Sequence, residues 1–266
     1  SFEEINLQWP WPRSYHAELV QSLFEAGAAT VGFDLVFAEP TEDDPLFAEI
    51  IDKYKNVVLV NDISVTVDPE YGYEQVKVIS PRSIAEHAKN KIIEGFANMR
   101  VESDGFIRRL ALENMDYQPF SLQVAKNYAT QNDLDLKEIP TKELTNGRWI
   151  DFLGPLRTIK TISYYQALDP NYFLPAGYFK DKIVLVGFAT SSGVSTEATS
   201  LDHYPAPFSR WGGGYLPGVE IHANALAGFL YGTSINRISN DITRYAGLFI
   251  GLFLGFLIIS LKLRNG

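Results

Sequence analysis

The segment Tyr245–Leu261, YAGLFIGLFLGFLIISL, runs for 17 residues without a charge between Arg244 and Lys262. As a helix rising about 1.5 Å per residue it spans roughly 25 Å, slightly short of a hydrocarbon core of about 30 Å. Lys262 lengthens it by snorkelling, so that Leu263 counts as well. A buried core helix is the other structure such a segment adopts, but a core helix usually shows some polar residue to a loop, and this segment has no polar stripe. It reads as a transmembrane helix over residues 243–263, which tethers everything before it to a bilayer. Arg237 and Arg244 precede it and Lys262 and Arg264 follow it. Two basic residues on each side leave the orientation open.

Charge constrains the rest. After residue 243 there are three basic residues and no acidic ones, so the remainder carries 20 Lys and Arg against 32 Asp and Glu, a net −12. That charge repels phosphate backbones and argues against a nucleic-acid partner. The absence of cysteine excludes disulfides, CxxC redox chemistry and thiolate metal sites without deciding the compartment. The chain begins at Ser1 and reads as a cut fragment, so the lack of a signal peptide carries no weight.

Patterning over residues 1–240 predicts one α/β domain with a mixed, partly parallel sheet flanked by helices. Ser14 is expected to cap a helix with Leu19, Val20, Leu23 and Phe24 on one face and Gly27 at its C′ position. Thr30–Phe37 is an apolar run of strand length, as in a strand covered on both faces. After the acidic loop Glu39–Asp44, Asp44 and Pro45 open a short helix, and Val57–Val60 completes a βαβ unit. Ile63–Ile79 reads as loop plus one polar strand, and Ser80–Pro81 opens a helix through His87. Phe96–Val101 and Phe106–Leu112 flank the turn Ser103–Asp104–Gly105 as a hairpin. Ser121–Ala129 is an amphipathic helix, Arg148–Leu153 and Lys182–Phe188 are strands, and Pro217–Tyr231 is the last helix, closed by Gly232.

The four histidines, His16, His87, His203 and His222, show no spacing that converges on one metal ion. No GxSxG elbow or GxxxxGK[ST] phosphate loop is present, and Gly212–Gly214 reads as a loop. No cofactor and no resident metal is expected. Asp34 is the most informative carboxylate. It stands in an apolar strand, toward the carboxyl end, where ligands collect in open α/β sheets. Three roles are open to it: a structural carboxylate bonded to a neighbouring loop, a ligand contact, or a catalytic group. The acids Glu39, Glu42, Asp43 and Asp44 are a solvated run or a loose Ca²⁺ site. Asp104, Arg108 and Arg109 are a polar site or plain turn chemistry, and Glu220 with Asn224 is a helix-to-sheet hydrogen-bonding pair.

In their order, Trp9–Arg13 (WPWPR), Ala26–Ala28, Phe33–Asp34, Asp104–Gly105 with Arg108–Arg109, Phe152–Pro155 (FLGP), Lys182–Gly187 (KIVLVG), Asp202 with Pro205–Phe208 (PAPF) and Pro217–Asn224 (PGVEIHAN) make a pattern. It resembles the type-two CHASE domain, a sensor module of bacterial cyclases and histidine kinases, over about residues 9 to 235. The resemblance implies a sensor outside the cell's inner membrane, Lys262 and Arg264 inside, and a cytoplasmic output domain beyond this fragment. The implied outputs are an adenylate or guanylate cyclase, a histidine kinase, a diguanylate cyclase or a Ser/Thr kinase, with adenylate cyclase first. No catalytic residue is carried over. The Ser-, Thr- and Gly-rich stretch Gly193–Ser200 departs from the family and transfers no ligand contact.

The resulting expectation is a non-catalytic sensor with an unknown extracytoplasmic ligand bound near Asp34, with Asp104, Arg108 and Asp202 as rim groups. One rival is a membrane-anchored, metal-dependent hydrolase using Asp34 and the acidic loop. Another is a structural ectodomain that holds a dimer together. Gly247, Gly251 and Gly255 recur every four residues along one side of the membrane helix, where small residues let backbones approach. They predict helix packing and a homodimer in the lipid bilayer.

Overall fold

The computed structural model describes residues 4–5, 7–67, 74–111, 117–139, 143, 147–189, 202–235 and 240–264. They fall into two units, Ser1–Ser234 and Ile235–Gly266. The first unit begins with α1 (Arg13–Glu25), β1 (Thr30–Asp34), α2 (Asp44–Tyr54), β2 (Val57–Val67), β3 (Glu74–Ile79) and α3 (Arg82–His87). It continues with β4 (Ile93–Phe96), β5 (Arg100–Val101), β6 (Ile107–Leu110), α4 (Phe120–Gln131), β7 (Arg148–Trp149), α5 (Tyr164–Leu168) and α6 (Pro170–Phe173). It ends with β8 (Ile183–Gly187), β9 (His203–Tyr204), a 3-10 turn (Pro207–Trp211), β10 (Leu216–Pro217) and α7 (Gly218–Leu230). The second unit carries α8 (Asn240–Arg264).

Alternation along β1 and β2 sets the architecture, because successive side chains of a strand point to opposite faces. Val31, Phe33, Val57 and Leu59 enter one core with Leu19 and Leu23 of α1 and Phe47 of α2. Val58 and Val60 enter a second core with Phe120 and Val124 of α4 and Ile221 and Ala225 of α7. Helices therefore cover both faces of the sheet, as the apolar run Thr30–Phe33 requires. Thr30, Gly32 and Asp34 share the α4 and α7 face. The Thr30 hydroxyl donates to Asn127 Oδ1 at 3.2 Å, and a Cβ on Gly32 would lie 2.7 Å from the Phe120 ring.

Four parallel strands lie in the order β4–β2–β1–β8. From β1 the chain winds outward to β2 and β4, then returns on the other side of β1 as β8. The strand order reverses between β1 and β8, which pair from Thr30↔Ile183 to Asp34↔Gly187. Beyond the parallel part, β2 runs on and pairs antiparallel with β3 from Asp62↔Ile79 to Val67↔Glu74. A separate antiparallel sheet has the order β5–β6–β7. The expected α/β domain with a mixed, partly parallel sheet flanked by helices is the fold observed.

Several local expectations are corrected. Ser14 lies inside α1, not at its cap. Its amide and hydroxyl donate to Asp43 Oδ2 at 3.2 and 2.8 Å, so the orphan donors of this helix start are satisfied from a distant loop. Gly27 does stand just past the helix, with φ 93. β1 stops at Asp34, and Phe37 is buried in the loop after it. Asp44 is the first residue of α2, and Asp43 precedes it. Ile63–Ile79 contributes two strand segments instead of one, and the span Phe96–Val101 is divided between sheets, with Phe96 closing β4 and Arg100–Val101 pairing β6. Gly193–Ser200 lies outside the described residues.

In the second unit, Asp241–Leu261 is a 21-residue span long and apolar enough to cross a membrane, and none of it is buried. A Cβ on Gly247, Gly251 or Gly255 would meet no atom from beyond its own turn of helix within 4 Å among the described residues.

Candidate functional site

Two polar groups converge on the carboxyl end of β1 because α7 starts there. Gly187, opposite Asp34 on β8, has no side chain to hold α7 away; a Cβ on it would lie 2.5 Å from Val219. One helical turn separates Gly218 from His222, so both lie on the same face of α7. Asp202 lies against Gly218. Its carbonyl accepts the Gly218 amide at 3.1 Å, and a Cβ on Gly218 would stand 2.5 Å from its Oδ1. Asp202 itself adopts φ 66, a left-handed conformation that few residues other than Gly, Asn and Asp accept.

Asp34 lies against the next turn. Its Oδ1 is 4.0 Å from Nε2 of His222, and the side chains of Asp34 and His222 are 9% and 1% exposed. His222 Nε2 donates instead to the Ala97 carbonyl at 3.2 Å, and its ring meets Phe120 edge to face at 5.2 Å. Asp34 Oδ2 and His222 Nδ1 are buried without a hydrogen-bond partner among the described residues. Burial pushes the Asp34 carboxyl up to about 7. Asp202 is pushed up to about 6 by burial and then by the Asp34 charge, against the pull of His222, His203 and a hydrogen bond from Tyr204. Burial lowers His222 to about 4, which keeps the imidazole neutral. The site thus holds two carboxylates with raised proton affinity beside a neutral histidine.

Where the parallel part of β2 ends, Asn98 Nδ2 donates to Asp62 Oδ1 at 2.6 Å, and Asn98 Oδ1 accepts the Ile63 amide at 2.8 Å. Asn61 is fully buried, and its Oδ1 has no partner among the described residues.

Of the residues singled out in the sequence, the structure brings Asp34 and Asp202 together. Asp104 and Arg108 lie in a different cluster, around the β5–β6 turn. Arg108 binds Asp104 through both amino groups at 3.0 and 2.7 Å and Glu102 at 2.7 Å, Arg109 also pairs with Glu102, and Arg210 pairs with Asp104. The hydrogen bond from Arg108 leads in holding Asp104 down to about 2. This hairpin is tied to the segment after β9 by the Ile107 amide, which donates to the Pro205 carbonyl at 2.9 Å. His222 was visible in the sequence only as a histidine without metal spacing; its signal was the four-residue interval to Gly218 within PGVEIHAN.

Glu220 and Asn224 do join α7 to its surroundings. Asn224 Oδ1 accepts the Leu153 amide at 2.8 Å, and the Glu220 carboxylate accepts amides of residues 157–159 while its Oε1 is buried without a partner among the described residues. Two acids of the acidic loop, Asp43 and Asp44, are structural, and Glu39 and Glu42 are exposed. Asp43 receives the start of α1, and Asp44, whose side chain is 1% exposed, accepts the Thr41 amide and hydroxyl and stands 3.4 Å from Arg13 Nε. Among the described residues no group of three or more His, Asp or Glu could hold a metal ion.

A family model described as the CHASE2 domain matches residues 1–261, which takes in both the α/β domain and the apolar helix. No curated protein and no solved structure matches the chain. The chain belongs to the CHASE2 family, the sensory extracellular domains of membrane signalling receptors.

Proposed function

We propose that this chain is the input module of a bacterial receptor in the inner membrane, with residues 1–240 as the periplasmic sensor and residues 243–263 as the start of its membrane anchor. A cytoplasmic output enzyme follows in this reading. Adenylate cyclase is the first choice, and a histidine kinase, guanylate cyclase, diguanylate cyclase or Ser/Thr kinase are the others. Two copies pair in the bilayer through Gly247, Gly251 and Gly255, and no cofactor or nucleic acid takes part. The stimulus is read at the carboxyl ends of β1 and β8 by Asp34 and Asp202. Asp104 and Arg108 act as a rim through the segment that joins their hairpin to β9.

One observation carries the sensing site. Asp34 places a buried carboxylate oxygen without a partner among the described residues at the point where the strand order reverses. A purely structural carboxylate finds hydrogen bonds there, and an open α/β sheet binds its ligands there. The hydrolase reading has less support, because Asp43 and Asp44 are already engaged with Ser14, Thr41 and Arg13.

The test is Asp34→Ala in the full receptor, with enzymatic output and thermal stability measured together. Loss of the response to stimulus at retained folding supports the reading. A variant with a lowered Tm and a full response makes Asp34 structural.

A further inference from the structure

We propose that Asp34 and Asp202 hold one proton between them against the first turns of α7, and that its release loosens those turns, so that the domain responds to the pH outside the membrane. This rests on the sensor reading above and names its stimulus.

Geometry carries the argument. Asp34 Oδ2 is shut away from solvent and bonds nothing among the described residues. Neither of two surface hollows, one at Leu110 and Trp149 and one at Leu156 and Trp211, is lined by Asp34, Asp202 or His222. Asp202 is held at Gly218 and Asp34 at His222, one turn apart on one face of one helix. A second negative charge there repels the first, and Asp34 Oδ2 is shut away from water.

Among the described residues, few groups face the pair. From β9 come His203 and Tyr204, whose hydroxyl donates to Asp202. The charges of Asp34 and Asp62 both reach Tyr204, the latter from β2. From α7 comes His222, with its Nε2 proton committed to Ala97. Glu220 is on the same helix and is held by amides of residues 157–159. α4 presents the uncharged Phe120 ring, and β8 presents Gly187. Among the described residues these groups include no lysine or arginine to neutralise a second carboxylate.

Protonation adds an O–H bond to one carboxylate, with the proton drawn from solvent, and release returns it there. With the proton bound, one negative charge remains at the amino end of α7, where the helix dipole favours it. After release, the charge on Asp34 beside His222 is relieved by entering water or by His222 taking up a proton and leaving Ala97. Each requires the first turns of α7 to move. α7 is the last helix before α8, with residues 231–239 between them, so its seating is the part of the sensor next along the chain to the membrane segment.

The experiment uses the full chain, residues 1–266, in lipid nanodiscs, with ¹³C-labelled aspartate followed by NMR and amide exchange followed over residues 218–222. The expected result is two coupled carboxyl titrations with midpoints above about pH 5.5, belonging to the pair. Corrected for intrinsic exchange, protection of the first turns should fall roughly tenfold or more between about pH 5.5 and 8. It should be flat in Asp34→Asn, and Asp202→Asn serves where that variant does not fold. Two carboxyls that both titrate near pH 4, or α7 protection that ignores pH, overturn the proposal. So does protection that follows pH equally in Asp34→Asn. No output domain is needed, so these failures remove proton sensing and leave the receptor reading to its own test.

Discussion

Asp34 and His222 stand 4.0 Å apart at the carboxyl end of β1 and do not hydrogen-bond, because the imidazole has given its Nε2 proton to the Ala97 carbonyl. The aspartate is therefore buried beside a neutral ring instead of a cation. Its environment favours the acid form, which is the reverse of the usual salt-bridged aspartate.

This sets the pH dependence of stability. Asp34 has a folded-state value of about 7 against an ordinary value of 3.8. The native state binds the extra proton between those limits, so the contribution is fully present below about pH 4 and lost as pH rises through about 7. Relative to Asp34→Asn, the native protein should lose up to about 4 kcal/mol between about pH 4 and 8. His16 and His222, both lowered to about 4 by burial, act in the opposite sense, losing stability as pH falls below about 6.5. The histidines are common to both proteins and largely cancel in the difference, whereas Asp202 in the variant loses the Asp34 charge that helps to raise it. Urea unfolding of the two proteins at several pH values checks this, and a difference independent of pH would contradict it.

Gly218 is the contact between α7 and Asp202. Alanine is the better helix former by up to about 1 kcal/mol, but its Cβ would lie 2.5 and 2.8 Å from the two Asp202 carboxylate oxygens. Asp202 is confined by its left-handed backbone and by the Tyr204 hydrogen bond, so the clash should outweigh propensity. Gly218→Ala is expected to destabilise by about 1–2 kcal/mol, within the usual range for overpacking. It should also move the Asp202 titration. Unchanged stability with an unchanged titration would show that the carboxylate has room to turn away.

The acidic loop separates structural from solvated carboxylates. Asp44 is buried, with bonds from Thr41 and the charge of Arg13, whereas Glu42 is exposed. Removing one partner of a buried pair leaves an uncompensated charge and typically costs about 3–5 kcal/mol. Asp44→Ala should therefore destabilise by about 3 kcal/mol, while Glu42→Ala should stay within about 0.5 kcal/mol. Burial raises the Asp44 carboxyl, but its hydrogen bonds and Arg13 more than offset this and leave it below its ordinary value. Its contribution is thus present above about pH 4 and lost on acidification, opposite in sign to Asp34. Denaturation of both variants at neutral pH distinguishes the two carboxylates.

Most of the fold was legible because burial on two faces leaves an apolar run such as Thr30–Phe33, and helices such as Phe120–Gln131 show their stripe. Asp34 stood out for the same reason, as a charge within such a run. Contacts between distant segments were not legible. The side chain that receives the start of α1 belongs to Asp43, not to Ser14, because a helix start accepts any acceptor that tertiary structure delivers. His222 reaches Asp34 only after β1, β8 and α7 have assembled, and nothing local to either residue announces it. Asp202 was marked by its place in the family's motif order. Its left-handed backbone and its contact with Gly218 belong to the folded chain.

The apolar helix offers the last test. Gly247, Gly251 and Gly255 follow one another at four-residue intervals, so they lie along one side of α8, and nothing stands within 4 Å of the space a Cβ would fill. In lipid the hydrophobic effect does not drive helices together, and close backbone approach across small residues is one of the few sources of contact energy. Replacing Gly251 and Gly255 with Ile fills that side with branched chains and keeps the segment apolar enough to span. In the full receptor the double variant should insert normally, lose dimerisation in a membrane association assay, and uncouple output from stimulus. Dimerisation retained with signalling lost would assign the stripe to another helix of the same receptor. Both retained would leave the glycines as ordinary membrane composition, since glycine is frequent in such helices whatever they pack against.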